Sequence, residues 1–203
     1  MKNKIKTIVF DAGGVLIELD AVNQMKAWTN GLFASEQDFW KAWTLSPNVF
    51  AFETGKLATG EFCAAVVEEF QLPVSPHEFL DFFRRWSKRK YPGVDDTLTE
   101  LGNHYRLACL SNTNDVHWEN VEERFAIEKY FDKLYLSHKI GLHKPRDEVY
   151  QFMIADLGNP PEEIIFLDDS QINIDGARRA GIHAFRVEGI TGARSKLEEL
   201  GLL

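Results

Sequence analysis

From residue 91 to its end the chain alternates short apolar runs with helix-length stretches, and this alternation restricts the fold more than any other feature. Apolar runs at 105–110, 134–136, 164–167 and 184–187 read as strands. Helical patterns occupy 95–103, 116–125, 147–157, 172–180 and 191–200, with Gly158-Asn159-Pro160-Pro161 and Gly181 as stop signals. A parallel pair of strands needs a long crossover, and a helix supplies one. The predicted class is therefore α/β: a parallel sheet with helices on both faces, three layers in all. The run 5–10, closed by Asp11 and Gly13-Gly14, completes that sheet.

Residues 20–90 carry no strong strand pattern. Val22, Met25, Ala27 and Trp28 predict one amphipathic helix. Phe39, Trp40, Ala42 and Trp43 predict another, with Ser35 as N-cap and Asp38 three residues on. Thr59-Gly60-Glu61 opens a helix through Phe70, and Ser75-Pro76-His77-Glu78 opens one through Trp86, with Pro76 well placed in the first turn. Aromatic residues at helical spacing predict the core of a small bundle. Trp43, Glu53 and Lys56 are the residues expected to face a pocket. The expected organisation is a core of 1–17 and 91–203 with an all-helical insertion of 18–90.

The net charge of −8 argues against a general nucleic-acid surface. An anionic substrate would then need a local positive group or a metal. No apolar stretch has the length of a membrane span. Lys2, Lys4 and Lys6 precede an apolar run too short for a signal peptide, and Asp11 interrupts it. Cys63 and Cys109 lack metal-ligand spacing and read as buried small hydrophobes, which suits a reducing, cytoplasmic setting.

In an open parallel sheet a ligand sits beyond the carboxyl ends of the strands. Three predicted strands stop there in polar residues: Asp11, Ser111-Asn112 and Asp168-Asp169. Lys144, in the loop GLHKP, falls on the same side. On its own stretch Asp11 reads most simply as a turn aspartate bonded to its own backbone. Taken together, the carboxylates would repel one another unless a cation joined them. A carboxylate nucleophile, a metal and donors for phosphate oxygens suit phosphoryl chemistry.

The segments FDAGGVLI, LSNTN, GLHKP and FLDDSQINIDGARRAG, in this order, resemble the four ordered motifs of the haloacid dehalogenase superfamily. The resemblance covers nearly the whole chain. It lies nearest to the small sugar-phosphate phosphatases and to the phosphatase domain of soluble epoxide hydrolase. It implies a Rossmann-like core with a helical cap between the first two motifs, and a magnesium-dependent phosphatase of a small phosphorylated metabolite. By that resemblance Asp11 attacks phosphorus. Ser111 and the backbone N–H of Asn112 hold the phosphoryl group, and Lys144 neutralises charge. Asp169 binds Mg2+ directly with Asp168 in support, and Asp11 and the Gly13 carbonyl add ligands. Asn173 either orders the Asp168–Asp169 loop or is a plain first-turn polar residue. A monomer or weak homodimer, with no nucleic-acid or membrane partner, is the expectation.

One position departs from the pattern. Most phosphatases of the family carry a second aspartate two positions after the nucleophile as general acid, and this chain has Gly13. General acid catalysis contributes about 10²–10⁴ in rate. His117, His138 and His143 are candidate substitutes, although each reads more readily as a loop or surface histidine. Two other readings remain open: a haloacid dehalogenase, against which the Asp168-Asp169 pair speaks, and a non-catalytic phospho-ligand scaffold, which only Gly13 supports.

Overall fold

The computed structural model describes residues 4–29 and 31–203; Lys2 lies outside them. The strands among these residues are β1 (Thr7–Phe10), β2 (Ile17–Leu19), β3 (Ser87–Lys90), β4 (Arg106–Ser111), β5 (Lys133–Leu136), β6 (Ile164–Asp168) and β7 (His183–Arg186). Five of them form a parallel sheet in the order β5-β4-β1-β6-β7. β1 is central, with Val9 in register with Ala108 on one side and Phe166 on the other. The chain leaves β1 toward β4 and later returns to its other edge at β6. The sheet therefore has its switch point at β1, where a crevice opens beyond the carboxyl ends.

Side chains alternate across a strand, so β1 feeds two separate cores. Ile8 and Phe10 face one side with Leu107, Cys109, Ile165 and Leu167. Val9 faces the other with Ala108, Leu110 and Phe166. Beyond the first side lie α6 (Val94–Gly102), α7 (Asp115–Phe125) and α11 (Gly189–Glu199), which contribute Leu98, Trp118 and Leu197. Against the second side pack α9 (Asp147–Leu157) and α10 (Gln171–Arg179), through Tyr150, Met153 and Ile174. A short α8 (Ser137–Ile140) follows β5. Cys63 and Cys109 are buried and unpaired.

The inserted segment holds α1 (Val22–Trp28), α2 (Glu36–Leu45), α3 (Pro47–Glu53), α4 (Thr59–Glu69) and α5 (Pro76–Phe83). Reciprocal capping bonds start α2 at Ser35 and Asp38 and α5 at Ser75 and Glu78. Its aromatic side chains make a core of their own, as their spacing predicts. Phe52 stacks on Phe62 at 4.0 Å, and Trp43 meets Trp86 at 4.6 Å. Trp43 is part of this core, with 5% exposure, which corrects its expected place facing a pocket.

Three features depart from the sequence reading. The expected α5 stops at Phe83, and Ser87–Lys90 pairs antiparallel with Ile17–Leu19. The segment is thus helical between the two strands of a ribbon that joins it to the core. Serine and basic residues carry no strand pattern of their own; pairing with β2 supplies it, with Glu18 at 3.0 Å from Lys88 and 2.6 Å from Arg89. α3 was not anticipated, although Ser46 caps it and Pro47 sits in its first turn. No helix among the described residues is long and apolar enough to cross a membrane.

Candidate active site

The carboxyl ends of β1, β4 and β6 deliver Asp11, Ser111 and Asp168–Asp169 to one crevice, and the loop before α9 adds Lys144. Carboxylate oxygens of Asp11, Asp168 and Asp169 lie within 4.8 Å of one another. The Lys144 ammonium is buried between two of them, 2.9 Å from Asp11 Oδ1 and 2.7 Å from Asp168 Oδ2. Three carboxylates thus share one cation. Burial foremost holds the Asp11 carboxyl well above its usual range; Lys144 pulls it down, and Asp168 and Asp169 push it up. Asp169 is pushed up to about 6, by burial and then by Asp168. Burial opposes the charge on Lys144, but Asp11 and Asp168 outweigh it and hold the ammonium protonated.

The adjacent aspartates have different surroundings. Asp168 is wholly buried and fully engaged: Oδ1 accepts from Ser170 N–H at 2.8 Å, Asn173 bonds both oxygens, and Lys144 takes Oδ2. Asn173 is itself fixed from the Tyr150 side, whose hydroxyl donates to the Asn173 carbonyl at 2.8 Å. This decides for Asn173 as an organiser of the loop. The Asp169 carboxylate is partly exposed and has no side-chain hydrogen bond among the described residues.

Asp11 serves both sequence readings. Its Oδ1 accepts from the next backbone N–H, that of Ala12, at 2.7 Å, as a turn aspartate does. Its Oδ2 has no hydrogen-bond partner among the described residues. The same holds for the Ser111 hydroxyl, the Asn112 N–H and the Gly13 carbonyl. Gly14, not Gly13, takes the left-handed conformation, with φ +71°. A Cβ on Gly14 would stand 2.2 Å from Asp169 Oδ2, so the acidic cluster closes only over a glycine.

The side chain of Asn112 has a task the sequence did not reveal. It brackets the Lys144 backbone: Oδ1 accepts its N–H at 2.9 Å and Nδ2 donates to its carbonyl at 3.0 Å. The candidate histidines are engaged elsewhere. His117 Nε2 meets the Phe83 carbonyl at 2.8 Å, and burial holds the ring neutral, its pKa lowered to about 4. His138 Nε2 meets Asp115 at 3.2 Å. His143 Nδ1 meets Asn112 and its Nε2 meets Glu53. His117 and His143 have both ring nitrogens engaged, whereas His138 Nδ1 is buried without a hydrogen-bond partner among the described residues. Lys56 is exposed beside the Phe50 ring at 5.7 Å, and Glu53 turns onto His143 rather than into open space.

A Rossmann-like sheet with a crevice at its switch point and an inserted helical cap defines the architectural class. The model of the haloacid dehalogenase-like hydrolases matches residues 5–181, and the chain belongs to that family. It is 30% identical over 203 residues to a D-ribitol-5-phosphate phosphatase of Bacteroides thetaiotaomicron, covering 95% of this chain and 97% of the relative. Among solved structures, a family enzyme from the same organism in complex with magnesium and inorganic phosphate aligns with a TM-score of 0.74. That match has 29% identity and covers 91% of this chain and 94% of the other. An L-2-haloacid dehalogenase of Xanthobacter autotrophicus shares the fold at 22% identity and TM-score 0.63, over 90% of this chain and 77% of its own.

Proposed function

We propose that the protein is a magnesium-dependent phosphatase of small sugar or alditol phosphates, acting through an aspartyl phosphate on Asp11. The observation that carries this reading is the charge count of the crevice. Three carboxylates cluster around one buried ammonium that bonds two of them, and the third, Asp169, has only the exposed Arg186 guanidinium beside it, bonded to its carbonyl. A divalent cation fits such a donor set, since it offsets the negative charge that the one buried ammonium leaves uncompensated. Asp11, Asp169 and the Gly13 carbonyl would hold it, with Asp168 fixing the loop behind. Bound there, Mg2+ neutralises charge on phosphoryl oxygens. The phosphatase relative and the magnesium and phosphate bound by the similar structure support the assignment.

In this reading the Asp11 carboxylate attacks phosphorus, its side chain oriented by Ala12 N–H and Lys144. The bond from phosphorus to the ester oxygen breaks, and the sugar leaves with the electron pair. Water then attacks the phosphoryl group, returning the carboxylate and releasing phosphate. Lys144, the Ser111 hydroxyl and the Asn112 N–H meet the charge that builds on the phosphoryl oxygens. With Gly13 in place of an acid, the leaving oxygen draws its proton from solvent. The cap, helical between β2 and β3, selects the substrate and limits water. The Asp168–Asp169 pair opposes a dehalogenase, which needs no metal. The test is phosphate release from a panel of alditol, aldose and triose phosphates, with Mg2+ and again after chelation. Release from several polyol phosphates that stops on chelation is expected; release unaffected by chelation counts against the metal assignment.

A further inference from the structure

Glu53 ends α3 of the cap, and its Oε2 lies 2.7 Å from Nε2 of His143 in the core. Both side chains are nearly out of solvent, 12% and 6% exposed. Neither belongs to the acidic cluster, and the steps above give neither a task.

The backbone fixes which way the protons run. The Lys144 N–H can only donate, and it meets Oδ1 of Asn112. The Lys144 carbonyl can only accept, and it meets Nδ2 of the same side chain. The Asn112 amide therefore has one permitted orientation. Its NH2 also stands 3.2 Å from His143 Nδ1. That nitrogen must accept, so the ring proton sits on Nε2 and is donated to Glu53. A directed chain runs from the backbone of Lys144 through Asn112 and His143 to a carboxylate of the cap.

The cap is seated closely where this chain crosses. Phe50, also on α3, packs edge-on against the His143 ring with centroids 5.5 Å apart. A Cβ on Gly55 would stand 2.6 Å from the His138 carbonyl, so the cap approaches α8 at a distance only glycine allows.

We propose that Glu53 and His143 are positioning residues that couple the seating of the cap to the phosphate site. Through Asn112 they hold Lys144 and the Asn112 N–H in register for a phosphoryl group, so the site is complete only with the cap docked. For its ligand this rests on the phosphatase reading; the hydrogen-bond chain does not.

The test is a double-variant cycle on the full chain with Glu53→Ala and His143→Phe, the phenyl ring keeping its contact with Phe50. Each single variant is expected to lower kcat/KM for the best phosphate ester about tenfold or more, as loss of a hydrogen bond to a charged group does. The double variant should match the singles, because all three break one chain. Glu53→Gln keeps an oxygen for the Nε2 proton and should retain most of the wild-type value. Effects that multiply in the double variant, or equal losses in Glu53→Gln and Glu53→Ala, overturn the proposal. Nitrogen-15 spectra of the wild type give a second readout that needs no variant: His143 should show a bare Nδ1 and a protonated Nε2, and a protonated Nδ1 overturns the chain. If no ester is turned over, the phosphatase reading fails on its own. The same cycle is then read on magnesium-dependent binding of inorganic phosphate, where an additive result or absence of binding overturns the coupling.

Discussion

A Cβ placed on Gly14 would stand 2.2 Å from Oδ2 of Asp169, at a residue whose φ is +71°. The turn after β1 and the acidic loop after β6 are therefore built against each other. Gly14→Ala is expected to strain the backbone by about 1–2 kcal/mol and to push Asp169 off the cluster. Magnesium titration of activity should show at least about tenfold weaker apparent affinity, since about 1.4 kcal/mol corresponds to that factor. Unchanged affinity would free Gly14 from this role.

Asp168 and Asp169 are expected to separate stability from function. Asp168→Ala leaves the Lys144 ammonium and the Asn173 amide short of their shared partner. Breaking a buried pair in this way costs about 3–5 kcal/mol. Asp169 has the opposite sign. Its pKa, raised to about 6, means the folded state binds the proton more tightly than the unfolded chain. Its charge therefore costs stability as pH rises from about 4 through about 6, and that cost persists at pH 7. Metal-free Asp169→Asn should be more stable than the wild type at pH 7, by on the order of 1–2 kcal/mol after allowing for solvent around this partly exposed group. It should also need more magnesium for turnover than Asp168→Asn does. Chemical denaturation and magnesium titration of these variants check both statements; the reverse order of magnesium demand would exchange the two roles.

His117 makes the seat of the cap acid-labile. Burial lowers its pKa from 6.5 to about 4, and the neutral ring donates to the Phe83 carbonyl. Below pH 6.5 the unfolded chain takes a proton that the folded ring refuses, so stability falls as pH drops toward about 4. The ring is partly exposed, so the loss is no more than about 3 kcal/mol. Denaturation curves from pH 7 to pH 5 should fall more steeply for the wild type than for His117→Gln, with carboxylate titration common to both. Parallel curves would contradict the burial of a neutral ring.

The parts of this site that lie at strand ends were legible in the sequence, because each follows an apolar run in its own neighbourhood. Asp11, Ser111, Asp168 and Asp169 all stop a buried strand. Asn173 left two readings open, which its bonds to Asp168 now separate. What the sequence hid is non-local. Ser87–Lys90 is a strand only by pairing with residues some seventy positions earlier. Glu53 and His143 meet across 90 positions, and only the adjacency of His143 to Lys144 hinted at a role. The Gly13-Gly14 doublet announced a turn without saying which glycine takes the positive φ.

Gly13 has no positive φ, and the three atoms nearest a Cβ there all belong to the exposed Leu19 side chain, with Cδ1 at 3.1 Å. An aspartate at 13 is therefore sterically admissible. The wild type should lose kcat/KM steeply as the leaving-group pKa rises, because no side chain protonates the departing oxygen. Gly13→Asp should flatten that dependence and raise turnover of plain alkyl phosphates, by up to about 10²–10⁴. A graded series of phosphate esters measures the slope. A flat slope in the wild type, with chemistry rate-limiting, would place a proton donor elsewhere in the closed site.

In the proposed mechanism Asp11 carries the phosphoryl group. Wild type and Asp11→Asn, assayed side by side for magnesium-dependent phosphate release from a polyol phosphate, test it most directly. An amide keeps the shape of the carboxylate but is a far poorer nucleophile. Release by the wild type and a fall of at least about 10³-fold, or over 4 kcal/mol of barrier, in a folded Asp11→Asn are expected. Release by Asp11→Asn at a rate near that of the wild type would contradict it.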